Sequence, residues 1–183
     1  PLPFDGRLLG DAFRLVRPPI PEFTLLGGMM VDRTDIGHLL SAARSMKSLL
    51  HTAKLLARYG CDRLRYPRGS RLVMGNALAG RLLYSLIQRD VDILTETSLE
   101  KIVRDGHGHV TSAVLVSGGV SRDIKIHGGL ILAGGGFSRH AGRRFAALKT
   151  DVEWSAVAPG ASGDAQDKAI EIGACISDRD LSA

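Results

Sequence analysis

The chain has 183 residues, 44% hydrophobic and 23% charged, with a formal net charge of +5. That composition belongs to a soluble globular protein with one good core, or one domain and part of another, and excludes disordered and collagen-like chains. No apolar run is long enough to span a bilayer, no secretory signal pattern opens the chain, and no metal-ligand spacing appears. Cys61 and Cys175 stand far apart and read as buried free thiols in a reducing compartment, so the expected location is cytoplasmic.

Residues 1–31 are rich in Pro and Gly. Leu8–Val16 has room for one or two helical turns. Arg17-Pro18-Pro19-Ile20-Pro21 must be extended, because proline lacks the amide donor and restricts the residue before it. Gly27-Gly28 is a joint entering a short apolar strand at Met29–Val31. Thr34 or Asp35 then caps one long helix whose stripe is Ile36, Leu39, Ala43, Met46, Leu50, Ala53 and Ala57, ended by Gly60. Arg58, Arg63, Arg65, Arg68 and Arg71 cluster around the next loop. That cluster reads as a solvated turn or as a face for an anion. Asn76 caps a second helix to about Gln88 that buries Leu78, Leu82, Leu83, Leu86 and Ile87. Val91–Leu94 is a short strand.

Three strands follow in quick succession: Leu99–Val103, Val110–Val116 and Ser121–Ile126. Asp105-Gly106-His107-Gly108 and Ser117-Gly118-Gly119 are the turns between them. The meander feeds the apolar run Leu130–Ala133, which ends in Gly134-Gly135-Gly136. A short apolar run bounded by glycines reads as a buried strand of a parallel sheet beside Val91–Leu94. Ligands of open α/β sheets bind just beyond the carboxyl ends of such strands, and missing Cβ atoms let a flat ligand approach. Beyond Phe137 the chain turns helical and basic through Arg139, Arg143 and Arg144. A last helix, Ala165–Ile172, is stopped by Gly173.

Several stretches, in this order, resemble the fumarate reductase and 3-ketosteroid dehydrogenase family of FAD-dependent oxidoreductases. They are Phe4-Asp5-Gly6-Arg7, Gly27-Gly28-Met29-Met30, Arg68-Gly69-Ser70-Arg71 through Leu78, Leu130 through Phe137, Trp154-Ser155, and Pro159 through Asp164. The opening looks like the steroid-dehydrogenase branch. Two positions depart from the family pattern. Its Ala-Thr-Gly-Gly-Phe has Gly134 for the threonine, and its Thr-Gly-Asp-Gly appears as Ser162-Gly163-Asp164-Ala165. The family's G-x-G-x-x-G segment, which seats the pyrophosphate on a helix end, is not in the chain. The resemblance therefore implies an interior fragment, inactive and free of FAD by itself.

The resemblance implies an α/β fold: part of a two-dinucleotide-binding-fold FAD domain with helix, parallel strands and a three-stranded meander, plus part of a mostly helical cap domain. Residues 1–65 would belong to the cap, 66–137 to the C-terminal part of the FAD domain, and 138–183 would return into the cap. Leu99, Ala133, Gly134, Gly135, Gly163 and Asp164 would bind the cofactor. Arg68, Gly69, Gly75 and Asn76 would form a substrate loop. The implied chemistry is hydride transfer through flavin N5 at an activated C–C bond of a steroid-like ketone or a dicarboxylate. The family's catalytic tyrosines do not match Tyr59, Tyr66 or Tyr84, so no catalytic residue is assigned. Two other readings compete: a non-enzymatic folded fragment that forms a homo-oligomer through its sheet edges, and a basic nucleic-acid-binding module, although no aromatic RNA-binding motif is present.

Overall fold

Proline and glycine set the path of the first thirty residues in the computed structural model, which describes residues 2–175. Strand β1 (Phe4–Asp5) leads into a 3-10 helix, Gly6–Leu15, kinked at Gly10 where φ is 54°. Arg17–Ile20 is extended. β2 (Thr24–Leu25) and β3 (Met29–Met30) form a hairpin through Gly27 and Gly28, both at positive φ. Helix α1 spans Arg33–Leu40 and helix α2 spans Met46–Arg63. β4 (Arg71–Leu72) pairs antiparallel with β1 and runs almost directly into helix α3 (Met74–Ile87). β5 (Thr97–Arg104), β6 (Val110–Ser117) and β7 (Val120–Lys125) make an antiparallel meander. Helices α4 (Ala141–Leu148) and α5 (Asp164–Glu171) follow. The chain divides into two compact units, residues 1–93 and 94–183.

In the first unit the core is Phe4, Leu9, Phe13, Val16 and Met30 packed on Leu72, Val73 and Ala77. That core crosses the expected 65/66 boundary. A smaller cluster joins Met29, Val31 and Leu55, with Leu39 and Tyr59 against it. In the second unit the meander carries Ile102, Ser112 and Ala113 as its buried residues. Asp105 fixes its first turn by accepting the His107 and His109 amides at 2.9 Å.

Several expectations are corrected. The long helix is two. Ser41 to Ser45 form a turn, with Ser45 extended at φ −143°. Neither Thr34 nor Asp35 is the cap: Asp32 is, in a reciprocal box with Asp35 at 2.9 Å in each direction. Gly60 does not end α2. The helix runs to Arg63 because the buried Asp62 accepts both the Ser70 amide and hydroxyl at 2.7 Å. Most of the expected stripe lies outward, with Ile36, Met46 and Leu50 exposed.

Asn76 is not the cap of α3; it sits inside the helix and donates to the Arg17 carbonyl at 2.9 Å. That helix is apolar on several faces, so its pattern holds two candidate stripes. The small residues Ala77 and Gly80 take the core side and let Phe4 approach, which leaves Leu78, Leu82 and Leu86 exposed. Both cysteines are exposed, Cys61 on the outer side of α2.

The largest correction concerns the strands. Neither Val91–Leu94 nor Leu130–Ala133 is a strand, and every strand pair among the described residues is antiparallel. Ile131 is 90% exposed. A β-strand is defined by its ladder, and residues 128–136 make no backbone hydrogen bond to any described residue. The segment has strand composition without a partner. Residues 176–183 of the expected third region lie outside the described residues.

Candidate functional site

The second unit holds a cleft of about 800 Å³. One wall is the first part of β5, where Leu99 pairs with Leu115 and a bulge separates Leu99 from Lys101. Such a bulge re-aims side chains at the end of a ladder. The second wall is the irregular run Ile131 to Gly134, and the third is the start of α5 with Asp164 and Ala165. The cleft therefore gathers Leu99, Ala133, Gly134 and Asp164, which are far apart in the chain. Gly135 and Gly163 adjoin it without lining it.

The glycines have different reasons for being there. Gly135 has φ 84°, a region that side chains disfavour, and a Cβ on it would meet only Ala161, at 4.0 Å. Gly163 has φ 89° as the residue before α5, and its Cβ would fall 3.1 Å from Phe137 Cβ. Gly134 lines the cleft, and a Cβ on it would clash with Ala165.

Charge distinguishes what the cleft can hold. Its rim carries Asp164, Asp167 and Glu171 against Lys168. Asp167 pairs with Arg143, and Lys168 lies 2.8 Å from Glu171. Carboxylates accept hydrogen bonds from hydroxyl groups and repel phosphates. The residues fit the hydroxyl-bearing and flat portions of a dinucleotide, and they do not fit its diphosphate. Among the described residues no group of three metal-ligating side chains occurs, and no helix is long and apolar enough to cross a membrane.

The expected substrate loop belongs to the first unit and is no free loop. Arg68, Gly69 and Ser70 are buried, and Leu72 and Val73 are among its most deeply buried side chains. The Gly69 amide donates to the Gly28 carbonyl at 3.1 Å, and a Cβ there would press on Tyr59. Gly75 faces open space on α3. Arg68 and Asn76 both reach the Arg17 carbonyl.

Sequence reasoning missed a polar network nearby. Asp35, 1% exposed, accepts from Arg71 Nη1 at 2.6 Å and lies 2.9 Å from His51 Nε2. Arg71 also reaches Asp32 at 3.0 Å. The His51 ring stacks on His38, whose Nδ1 is 3.0 Å from Ser48 Oγ. Burial raises the Asp35 carboxyl, but the Asp32 amide, His51 and Arg71 outweigh it and hold the group below the ordinary carboxylate range. Within the arginine cluster Arg68 and Arg71 turn inward and Arg58 lies 3.1 Å from Asp5, while Arg63 and Arg65 stay exposed. The spacing Asp32-x-x-Asp35 before an apolar run was the available signal.

A family model described as an FAD binding domain matches residues 13–183. A relative from Sinomonas cyclohexanicum, named 4-oxocyclohex-2-ene-1-carboxylate 5-dehydrogenase, is 33% identical over 134 residues, 73% of this chain and 22% of that protein. The crystal structure of 3-ketosteroid delta1-dehydrogenase from Sterolibacterium denitrificans in complex with 1,4-androstadiene-3,17-dione matches with a TM-score of 0.78 at 30% identity. That match covers 96% of this chain and 32% of the other. The chain thus spans under a third of the length of either protein.

Proposed function

The chain belongs to the FAD binding domain family, and on that premise we propose that it is an interior part of an FAD-dependent oxidoreductase acting on an activated C–C bond of a cyclic ketone. Both relatives carry names that describe ring ketones, which favours that substrate over a dicarboxylate. The observation that carries the reading is the convergence of Leu99, Ala133, Gly134 and Asp164 on one cleft. Four of the six residues expected at the cofactor meet around a single space of ligand size.

Bound FAD supplies hydride exchange at flavin N5. This chain's part is to hold and orient. The β5 backbone at Leu99 and the Ala133–Gly135 turn form the wall against which a flat group lies. Gly163 and Asp164 close the other side, with the Asp164 carboxylate accepting from a hydroxyl group. Arg68, Gly69, Gly75 and Asn76 serve substrate binding.

The test is flavin content and turnover in the whole enzyme that contains this chain. Asp164→Asn should keep the fold and weaken flavin retention several-fold. Flavin-dependent oxidation of a cyclic ketone with an artificial electron acceptor should be measurable in the parent. A parent that binds no flavin, or an Asp164→Asn variant with unaltered flavin affinity, overturns the reading of this cleft.

A further inference from the structure

A small cavity of about 170 Å³ lies in the first unit against α2, lined by Asp35, His51, Lys54, Leu55, Arg58 and Arg71. It has room for about five or six waters at about 30 Å³ each, and so for one tetrahedral oxyanion. A drug-sized ring ligand needs roughly 300 Å³ or more. His51, Lys54 and Arg58 follow one another on α2 at spacings of three and four, so they share one face of that helix. Lys54 is exposed and the His51 side chain is 37% exposed, so solvent reaches the cavity from their side.

The charges around this cavity differ in whether they are already used. Asp35 is: Oδ1 lies 2.9 Å from His51 Nε2, and Oδ2 accepts Arg71 Nη1 at 2.6 Å and the Asp32 amide at 2.9 Å. Arg71 is too, with Nη2 donating to Asp32 at 3.0 Å. Arg58 is not. Its Nε and Nη2 are both shielded from solvent and donate to nothing. Nη2 lies 3.1 Å from Asp5 Oδ1 without the alignment of a hydrogen bond. That oxygen already accepts the Arg7 amide at 3.1 Å and Arg7 Nε at 3.0 Å. Lys54, one turn before Arg58, forms no ion pair among the described residues. A shielded donor without an acceptor is costly. An oxyanion removes that cost by accepting from the guanidinium edge through two parallel charge-assisted bonds, while an ammonium adds a point charge.

We infer that this cavity is a phosphate-type oxyanion site, with the Nε–Nη2 edge of Arg58 as its fork and Lys54 as its second charge. The ligand is free phosphate or the head group of a small phosphate monoester. The site uses none of the residues assigned to flavin or substrate binding. It stands on the geometry of the first unit alone, so it fails or holds separately from the flavin reading.

The test is titration of the full 183-residue chain with inorganic phosphate, followed by calorimetry and phosphorus magnetic resonance, with acetate as the control. Phosphate should bind saturably at millimolar concentration, and acetate, with one charge and one oxygen too few to reach both cations, about tenfold more weakly. Lys54→Gln, at an exposed position, should fold normally and weaken phosphate at least about fivefold. Arg63→Gln removes the same charge from an exposed position outside the cavity and should leave phosphate affinity unchanged. Arg58→Gln should abolish binding; if that variant does not fold, the contrast between Lys54→Gln and Arg63→Gln decides. Glycerol 3-phosphate binding as tightly as phosphate supports the site as one for a monoester head group, and tenfold weaker binding supports it as one for the free ion. No saturable phosphate binding, acetate binding as tight as phosphate, unchanged affinity in Lys54→Gln, equal weakening in Arg63→Gln, or a folded Arg58→Gln that still binds each overturns the proposal.

Discussion

A Cβ built on Gly134 would stand 2.8 Å from the Cβ of Ala165. Real Cβ atoms do not approach that closely, so the loop and the start of α5 tolerate one side chain between them. In the family pattern that side chain is on the loop, a threonine, and the helix position is glycine. Here the loop has glycine and the helix has alanine. Two departures that look separate in the sequence are one exchange in space.

The exchange gives a double-mutant prediction. Gly134→Thr should destabilise by about 1–3 kcal/mol through overpacking. Ala165→Gly should cost a few tenths to about 1 kcal/mol from helix propensity. The two together should recover most of the first loss. Urea denaturation of all four proteins gives the coupling energy, and strict additivity would show that the two positions do not share this space.

Gly135 calls for a different test. Its φ of 84° means that any β-branched residue strains the backbone whether or not a ligand lies nearby. Gly135→Val should therefore lower the melting temperature in either case, at about 1–3 kcal/mol. Asparagine tolerates left-handed backbone far better. In the whole enzyme, Gly135→Asn should melt close to the parent and retain less flavin, because its side chain enters the space beside the cleft. A Gly135→Asn protein with full flavin and an unchanged melt would reduce Gly135 to a turn residue.

Local chemistry was legible in the sequence where it acted alone. The extended path at Arg17–Ile20, the glycine joint at Gly27-Gly28, the meander with its Asp105 and Gly118-Gly119 turns, and the stop at Gly173 all follow from single-residue preferences, whereas Pro21, expected to be extended, opens a 3-10 turn over Pro21–Phe23. What was not legible depended on partners. Leu130–Ala133 has strand composition, but pairing needs a neighbour that composition does not reveal. Of the expected α3 stripe, Leu83 and Ile87 pack against the core, while Leu78, Leu82 and Leu86 lie exposed because Ala77 and Gly80 take the innermost positions. Asp35, Arg71 and His51 are 16 to 36 residues apart, and only the break between α1 and α2 brings them together.

That buried network makes stability depend on pH. The folded-state pKa of Asp35 is depressed. Its contribution is therefore complete above the unfolded value, about 4, and is lost as pH falls through the lower folded value. Asp35→Asn should be less stable at neutral pH by on the order of 3 kcal/mol, because Arg71 loses its buried partner. The same variant should lose less than the parent between pH 4 and about pH 2. Asp5, held low by its Arg7 hydrogen bond, remains in both proteins and cancels in the comparison. Denaturation curves with the same acid limb for parent and variant would remove Asp35 from the account.

Two glycines on α3 should respond in opposite directions to the same change. Gly80 faces the core, where a Cβ would fall 2.8 Å from Phe4 Cδ1 and 2.9 Å from Leu72 Cδ1. Phe4 and Leu72 are themselves buried and paired across β1 and β4, so neither can retreat without opening the core. Gly80→Ala should destabilise by about 1–3 kcal/mol, despite the helix propensity it gains. Gly75 lies in the first turn of the same helix, exposed, with nothing within 4 Å of a Cβ and no positive φ. Gly75→Ala removes freedom from the unfolded chain and adds no clash, so it should stabilise by up to about 1 kcal/mol. Thermal melts of the two single variants measure both signs. If Gly80→Ala stabilised the chain as Gly75→Ala does, α3 would not pack on Phe4 and Leu72 at this face, and the first unit's core would have to be redrawn.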